Sequence, residues 1–245
     1  ISVKGMTLNP KDGNPPPRIA ETPSGMLNSV GLQNPGIDAF IEHELPYLRT
    51  KDVTILANVA GSTVEDCITI AQKLEGTAVD MIELNISCPN VKEGGAAFGS
   101  TPQMAAAVTK AVRGATSKPL MVKLSPNVTD IVAIAKAVEA EGADAVSLIN
   151  TLLGMRIDIN TRRPVLKNNT GGLSGPAIFP VAVRMVWQVA NAVNIPVVGM
   201  GGIASGKDAI EMMMAGASAI QVGAAIFADP YAPVKIVDEM NAWLD

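Results

Sequence analysis

Short apolar runs recur along the chain, each followed by a polar or glycine-rich stretch and then by a longer segment of helical periodicity. The runs fall at residues 54–58, 81–85, 120–124, 145–149, 196–199 and 219–222, and the helical segments at 63–74, 102–116, 130–141, 177–193, 207–215 and 230–244. Alternation of this kind predicts a parallel sheet with helical crossovers. Gly142-Ala143-Asp144 and Gly216-Ala217-Ser218 read as helix-to-strand turns, with glycine closing the helix. A further strand at residues 2–4 brings the total to seven. The pattern predicts a single α/β domain over residues 1–245, a (β/α)8 TIM barrel whose first strand–helix unit is missing ahead of Ile1. A doubly wound open sheet is the alternative, but its glycine-rich first turn is not seen. Two stretches break the rhythm. Residues 9–35, rich in Pro, Gly and Asn, read as one long connection, and residues 155–172 as an inserted excursion or hairpin. Both are candidate covers of a site at the strand ends.

Composition narrows this picture. Hydrophobic residues make up 48% and aromatic residues 3%, so the core is expected to be aliphatic. The net charge of −4, without a basic run, argues against nucleic acid as a partner. The uncharged run between Glu211 and Asp229 contains Gly216, Gln221 and Gly223 and reads as helix end, turn and buried strand rather than a membrane span. No apolar leader opens the chain. Cys67 and Cys88 are the only cysteines, which suits a reducing cytoplasm and is too few for a four-thiolate iron–sulfur cluster. A single histidine, His43, leaves no multi-histidine metal site and no Ser-His-Asp triad.

Candidate chemistry collects where strands end. Cys88 follows the 81–85 strand within Asn85-Ile86-Ser87-Cys88-Pro89-Asn90. A thiol there is either a loop-held nucleophile or base, or an inert buried cysteine; the flanking Asn85 and Asn90, poor strand residues, favour chemistry. Cys67, inside a helix, reads as packing. Asn58 closes one strand, Asn150 and Thr151 follow another, and Lys123 interrupts an apolar one. A lysine so placed faces an anion or escapes to solvent at an edge, and a closed barrel has no edge. Gly-rich turns are expected at 171–175, at 199–202 and at Gly223-Ala224. Glycines can serve only to make turns, but the last two follow the final strands, where barrels bind phosphate on backbone N–H groups. A thiol base, converging amides and a phosphate site fit proton abstraction beside a flavin or a similar acceptor. The residue types do not choose the flavin over another phosphate-bearing group.

The segments NISCPNVKEGGAAFG, VKLSPNVTDI, INTLLG, TGGLSGPAI, GMGGI and VGAAIFADP together resemble class 1 dihydroorotate dehydrogenases, most closely the NAD-linked subtype B catalytic subunit, over the whole chain. The resemblance implies that Cys88 removes a proton from carbon 5 of dihydroorotate while a hydride leaves carbon 6 for FMN. It assigns substrate contacts to Lys4, Asn28, Ser29, Val30, Gly31, Leu32, Asn85, Asn90, Asn150 and Thr151. It assigns FMN contacts to Lys4, Gly5, Asn58, Asn85, Lys123, Ile149, Gly175, Gly201, Gly202, Gly223 and Ala224. It also implies a homodimer within a heterotetramer, the second subunit carrying FAD and a [2Fe–2S] centre for electrons bound for NAD. The family's first strand, with its Ala-Ser-Gly flavin contact, is expected ahead of Ile1. A fumarate-linked subtype A enzyme and a non-catalytic flavin-binding remnant are the competing readings. Residues 92–99 are expected to close over Cys88, hinged at Gly94, Gly95 and Gly99.

Overall fold

The computed structural model describes residues 1–87 and 97–244. In chain order the strands are β1 (Ile19–Thr22), β2 (Gly25–Asn28), β3 (Leu56–Val59), β4 (Met81–Asn85), β5 (Leu120–Lys123), β6 (Ala145–Leu148), β7 (Leu152–Met155), β8 (Ile157–Asp158), β9 (Arg163–Pro164), β10 (Thr170–Ser174), β11 (Val197–Met200) and β12 (Ala219–Gln221). The helices are α1 (Ile37–Ala39), α2 (Leu45–Arg49), α3 (Val64–Glu75), α4 (Pro102–Arg113), α5 (Ile131–Ala140), α6 (Phe179–Ala190), α7 (Gly206–Met214), α8 (Ala225–Ala228) and α9 (Ala232–Leu244). A π-helical turn, Phe40–Glu44, joins α1 to α2.

Six strands form one parallel sheet in the order β12-β11-β6-β5-β4-β3. Residues 1–6 run alongside β3 in parallel, held by the Ser2–Leu56 and Met6–Val59 bridges. The expected strand at 2–4 is therefore present only as isolated bridges. The curled sheet with its helices is a partial (β/α)8 barrel; β12 and β3 are not paired with each other. Strands β5 and β6 are almost wholly buried, as a sheet covered on both faces requires. Phe40 is the single aromatic among the buried apolar side chains of the described residues.

The helices start where the sequence offers an oxygen to cap them. Thr63, Thr101, Asp130 and Ser205 each accept a hydrogen bond from the backbone N–H three residues on, and Thr63 and Asp66 complete a capping box. Gly142 and Gly216 adopt φ of 90° and 108°, so both expected helix-to-strand turns form with the left-handed backbone that glycine allows. The run between Glu211 and Asp229 divides among the end of α7, β12 and α8. Among the described residues no helix is long and apolar enough to cross a membrane.

Two further expectations need correction. Residues 9–35 are not one long connection: they contain the β1–β2 hairpin. Most of the glycine turn expected at 171–175 belongs instead to strand β10, paired to β2 on one side and β7 on the other in a four-stranded antiparallel sheet. A Cβ on Gly171 would lie 2.6 Å from the Asn28 carbonyl oxygen, so glycine there permits close strand approach, and only Gly175, at φ 98°, makes a turn. The helical stretch from α1 to α2 was not anticipated; Gly36 precedes it without a side-chain cap. The hairpin expected within 155–172 is present as β8 and β9.

Candidate active site

The strand C-terminal ends surround two adjoining cavities of about 340 Å³ and 270 Å³. Lys123, Asn150, Thr151 and Ser2 line both, so the two are lobes of one cleft. The larger lobe is bounded by Ile149, Gly175, Gly201, Gly202, Gly223 and Ala224. The smaller is bounded by Lys4, Gly5, Asn28, Val30, Gly31, Leu32, Asn58 and Asn85. Of the candidates within the described residues, Ser29 alone stays out of the cleft: it is fully buried and its Oγ has no hydrogen-bond partner. Cys88 and Asn90 lie outside the described residues, as do residues 92–96 of the segment expected to close over Cys88.

Local structure explains how these side chains converge. Glu83 and Asn85, two apart on β4, share one face of the sheet. Register places Asn58 opposite Glu83, and Lys123 between Asn85 and Ser147. The result is a polar seam across the strand ends. Asn85 Nδ2 donates to Asn58 Oδ1 at 3.2 Å, and Asn85 Oδ1 accepts from the Ser87 N–H at 3.2 Å and hydroxyl at 2.8 Å. Asn150 Nδ2 donates to Ser87 Oγ at 2.7 Å. Lys123, half-buried, makes no hydrogen bond or ion pair among the described residues. Thr151 Oγ1 is buried without a partner. A cation and a hydroxyl without partners among the described residues thus stand at the junction of the lobes, where each can bond a ligand.

The two late glycine turns differ in kind. Gly201 and Gly202 have φ of 124° and 80°, and a Cβ on Gly202 would lie 2.8 Å from the Gly175 oxygen, so the turn admits only glycine. A Cβ on Gly223 would meet nothing within 4 Å, leaving its backbone open to the larger lobe. Both turns follow the last two strands, β11 and β12.

Cys67 behaves as expected of a packing residue: it is buried on α3, and burial pushes its thiol up to about 11. A larger cavity of about 540 Å³ lies between the β1–β2 hairpin, α8 and α9. No amide side chain lines it, and its lysine, Lys235, is paired with Asp229 at 2.6 Å, so it lacks the donors that the strand-end cleft gathers. Sequence reasoning passed over Gln221, which lines the larger lobe, and Glu83 and Ser147, which lie behind the cleft wall. Glu83 carried a readable signal, a charged residue inside an apolar strand, the same anomaly that drew attention to Lys123.

The sequence of the dihydroorotate dehydrogenase family matches over residues 1–244. A protein of Alkaliphilus metalliredigens is 57% identical over 245 residues, covering 100% of this chain and 81% of its own length. One from Thermoanaerobacter pseudethanolicus is 57% identical over 244 residues, with 100% and 81% covered. One from Citrifermentans bemidjiense is 59% identical over 242 residues, with 98% and 79% covered. All three carry the name dihydroorotate dehydrogenase B (NAD(+)), catalytic subunit. With strand-end amides, an unpaired lysine and two glycine turns gathered in one cleft, and with a match over almost its full length, the chain belongs to the dihydroorotate dehydrogenase family.

Proposed function

We propose that the chain is an FMN-bearing catalytic subunit that oxidises dihydroorotate to orotate in pyrimidine synthesis and passes the electrons on toward NAD. The observation that carries this reading is Lys123, a cation without a partner among the described residues, standing between a glycine-lined and an amide-lined lobe. The donor set fits FMN. Gly201, Gly202, Gly223 and Ala224 offer backbone N–H groups to a phosphate at the ends of β11 and β12. Lys123 offers positive charge to the electron-rich edge of the ring system, and Lys4, Gly5, Asn58, Asn85, Ile149 and Gly175 complete its surroundings.

FMN, when bound, supplies the acceptor for the hydride that leaves carbon 6 of dihydroorotate. The chain's own groups do the rest. Asn28, Val30, Gly31, Leu32, Asn85, Asn90, Asn150 and Thr151 bind the pyrimidine and its carboxylate, with Ser29 supporting from within the core. Cys88 takes the proton from carbon 5. A free thiol is only a few per cent ionised near neutral pH, so nearby positive charge, for which Lys4 is the candidate, raises the working fraction of thiolate. The name catalytic subunit, shared by the relatives, supports a partner subunit, which in this reading carries FAD and a [2Fe–2S] centre around a homodimer of this chain.

Purified protein under anaerobic conditions tests the reading. It should carry a flavin absorbance that dihydroorotate bleaches, and reduce NAD only with the iron- and FAD-bearing subunit present. Reoxidation by fumarate would assign the subtype A reaction instead. Bound flavin that dihydroorotate does not bleach would assign a non-catalytic remnant.

A further inference from the structure

Glu83 is fully buried and forms no ion pair among the described residues. It lines neither lobe of the cleft. Burying a carboxyl group without a cation is costly, and a leucine or methionine on β4 would be cheaper to pack. What the group does instead is accept. One oxygen accepts from Asn58 Nδ2. The other accepts from the Ser147 hydroxyl at 2.7 Å and from Gln221 Nε2 at 3.4 Å. Asn58 lines the smaller lobe and Gln221 the larger, so Glu83 holds a side chain of each.

Donation runs in one direction along the seam: from Asn150 to Ser87, from Ser87 to Asn85, from Asn85 to Asn58, and from Asn58 to Glu83. An amide by itself has little preference for either orientation, since a half-turn exchanges oxygen and nitrogen at almost the same shape. Here one end is pinned by backbone. The Ser87 N–H requires the Asn85 oxygen, and the Thr151 N–H, at 2.8 Å, requires the Asn150 oxygen. Asn58 sits at the other end, where its oxygen accepts from Asn85 Nδ2 and Glu83 is the acceptor that holds its NH2 group.

We infer that Glu83 is a positioning residue that makes the cleft wall a set of donors. With Glu83 accepting, the side-chain oxygens of Asn58, Asn85 and Asn150 are all engaged inside the protein, while each NH2 group keeps one hydrogen uncommitted among the described residues. Such a wall selects a flat ring rich in carbonyl and carboxylate oxygens over one that offers amino groups. This role rests on the function proposed above and deepens it to the choice of ligand.

The test uses FMN-loaded protein and two probes, orotate and its 4-amino analogue, in which an amino donor replaces a carbonyl acceptor. Dissociation constants come from perturbation of the flavin spectrum, with flavin content and melting temperature measured alongside. Glu83→Met should lower the preference for orotate over the analogue about tenfold, the equivalent of one hydrogen bond. Loss of affinity for both probes in equal proportion marks a merely structural role and overturns the inference. Should that variant not fold, Glu83→Gln and Ser147→Ala decide. Either alone leaves an acceptor facing Asn58 and should keep the preference within about threefold. Together they remove the group that orients the new amide, and the double variant should lose the preference about tenfold; small additive effects overturn the inference. A wild type that is not bleached by dihydroorotate removes the functional reading itself. A wild type that binds orotate, beside a Glu83→Met protein of unchanged preference, removes only the role of Glu83.

Discussion

Gly223→Ala separates the fold from the cofactor cradle. The added methyl would meet no atom within 4 Å, and Gly223 is not in the left-handed backbone region that strains other residues. Flavin-free protein should therefore melt unchanged or slightly higher, since an alanine at a compatible position stabilises by about 0.4–1 kcal/mol through the unfolded state. The same methyl occupies the approach to the backbone N–H groups at the end of β12, beside the 340 Å³ lobe. A hydrogen bond to a charged group contributes about 1.5–3 kcal/mol, so losing one such contact to the phosphate should weaken FMN binding about 10- to 150-fold. Quenching of FMN fluorescence on titration into flavin-free protein measures the affinity, and a thermal melt of the same sample reports the fold. Gly76→Ala is the control. Gly76 closes α3 at φ −83°, also has open space around its missing Cβ, and lies outside the cleft, so the melt should match that of Gly223→Ala while FMN affinity does not move. An FMN dissociation constant within about twofold of wild type in Gly223→Ala would refute the cradle, because about twofold is far below the loss of one such hydrogen bond.

Gly202→Ala should do the opposite: a positive φ of 80° and a Cβ 2.9 Å from the Phe179 nitrogen together cost about 2–5 kcal/mol, seen as a lower melting temperature even without flavin, and a wild-type melt would contradict the strain. Cys88→Ala should keep its FMN yet lose about 100-fold or more in turnover, the usual contribution of a positioned base; near-normal turnover would exclude the role. Lys123→Ala should lose flavin or reduce it more slowly, and normal flavin content with a normal reduction rate in stopped flow would rule out charge stabilisation by Lys123. Hydrogen bonds from Ser117 and Thr116 hold the Glu75 carboxyl well below 4.5, at about 2. A folded-state value below the unfolded one means that its stabilising contribution is complete above 4.5 and fades as pH falls toward about 2. The melting-temperature gap between wild type and Glu75→Ala should shrink across that window, and a gap indifferent to pH would refute the assignment.

Much of this arrangement was readable from local sequence. The β4 strand begins and ends where its apolar run does, and the caps at Thr63, Thr101, Asp130 and Ser205 lie within a residue or two of the expected helix starts. These features depend on neighbours a few residues away, so periodicity and turn chemistry suffice to find them. Asn58, Asn85, Lys123 and Asn150 were legible for a related reason, since an amide or a lysine at the end of an apolar strand is a local anomaly wherever the strand goes, whereas Lys4 and residues 28–32 were reached only through the family resemblance.

The chain by itself determined the parallel sheet, its helices, the aliphatic core and the group of polar side chains at the strand ends, because each is written in the spacing of nearby residues. Tertiary structure alone decided that β2 pairs with β10, where Asn28 meets Gly172, 144 positions away. It also decided that Ser29 is withdrawn into the core, and that Glu83 lies beneath Asn58, Ser147 and Gln221. Short strands such as GMLN and TGGLS carry no period of their own and form only when a distant partner supplies their hydrogen bonds. A buried carboxyl likewise acquires its donors only when three other strands, β3, β6 and β12, bring them to it.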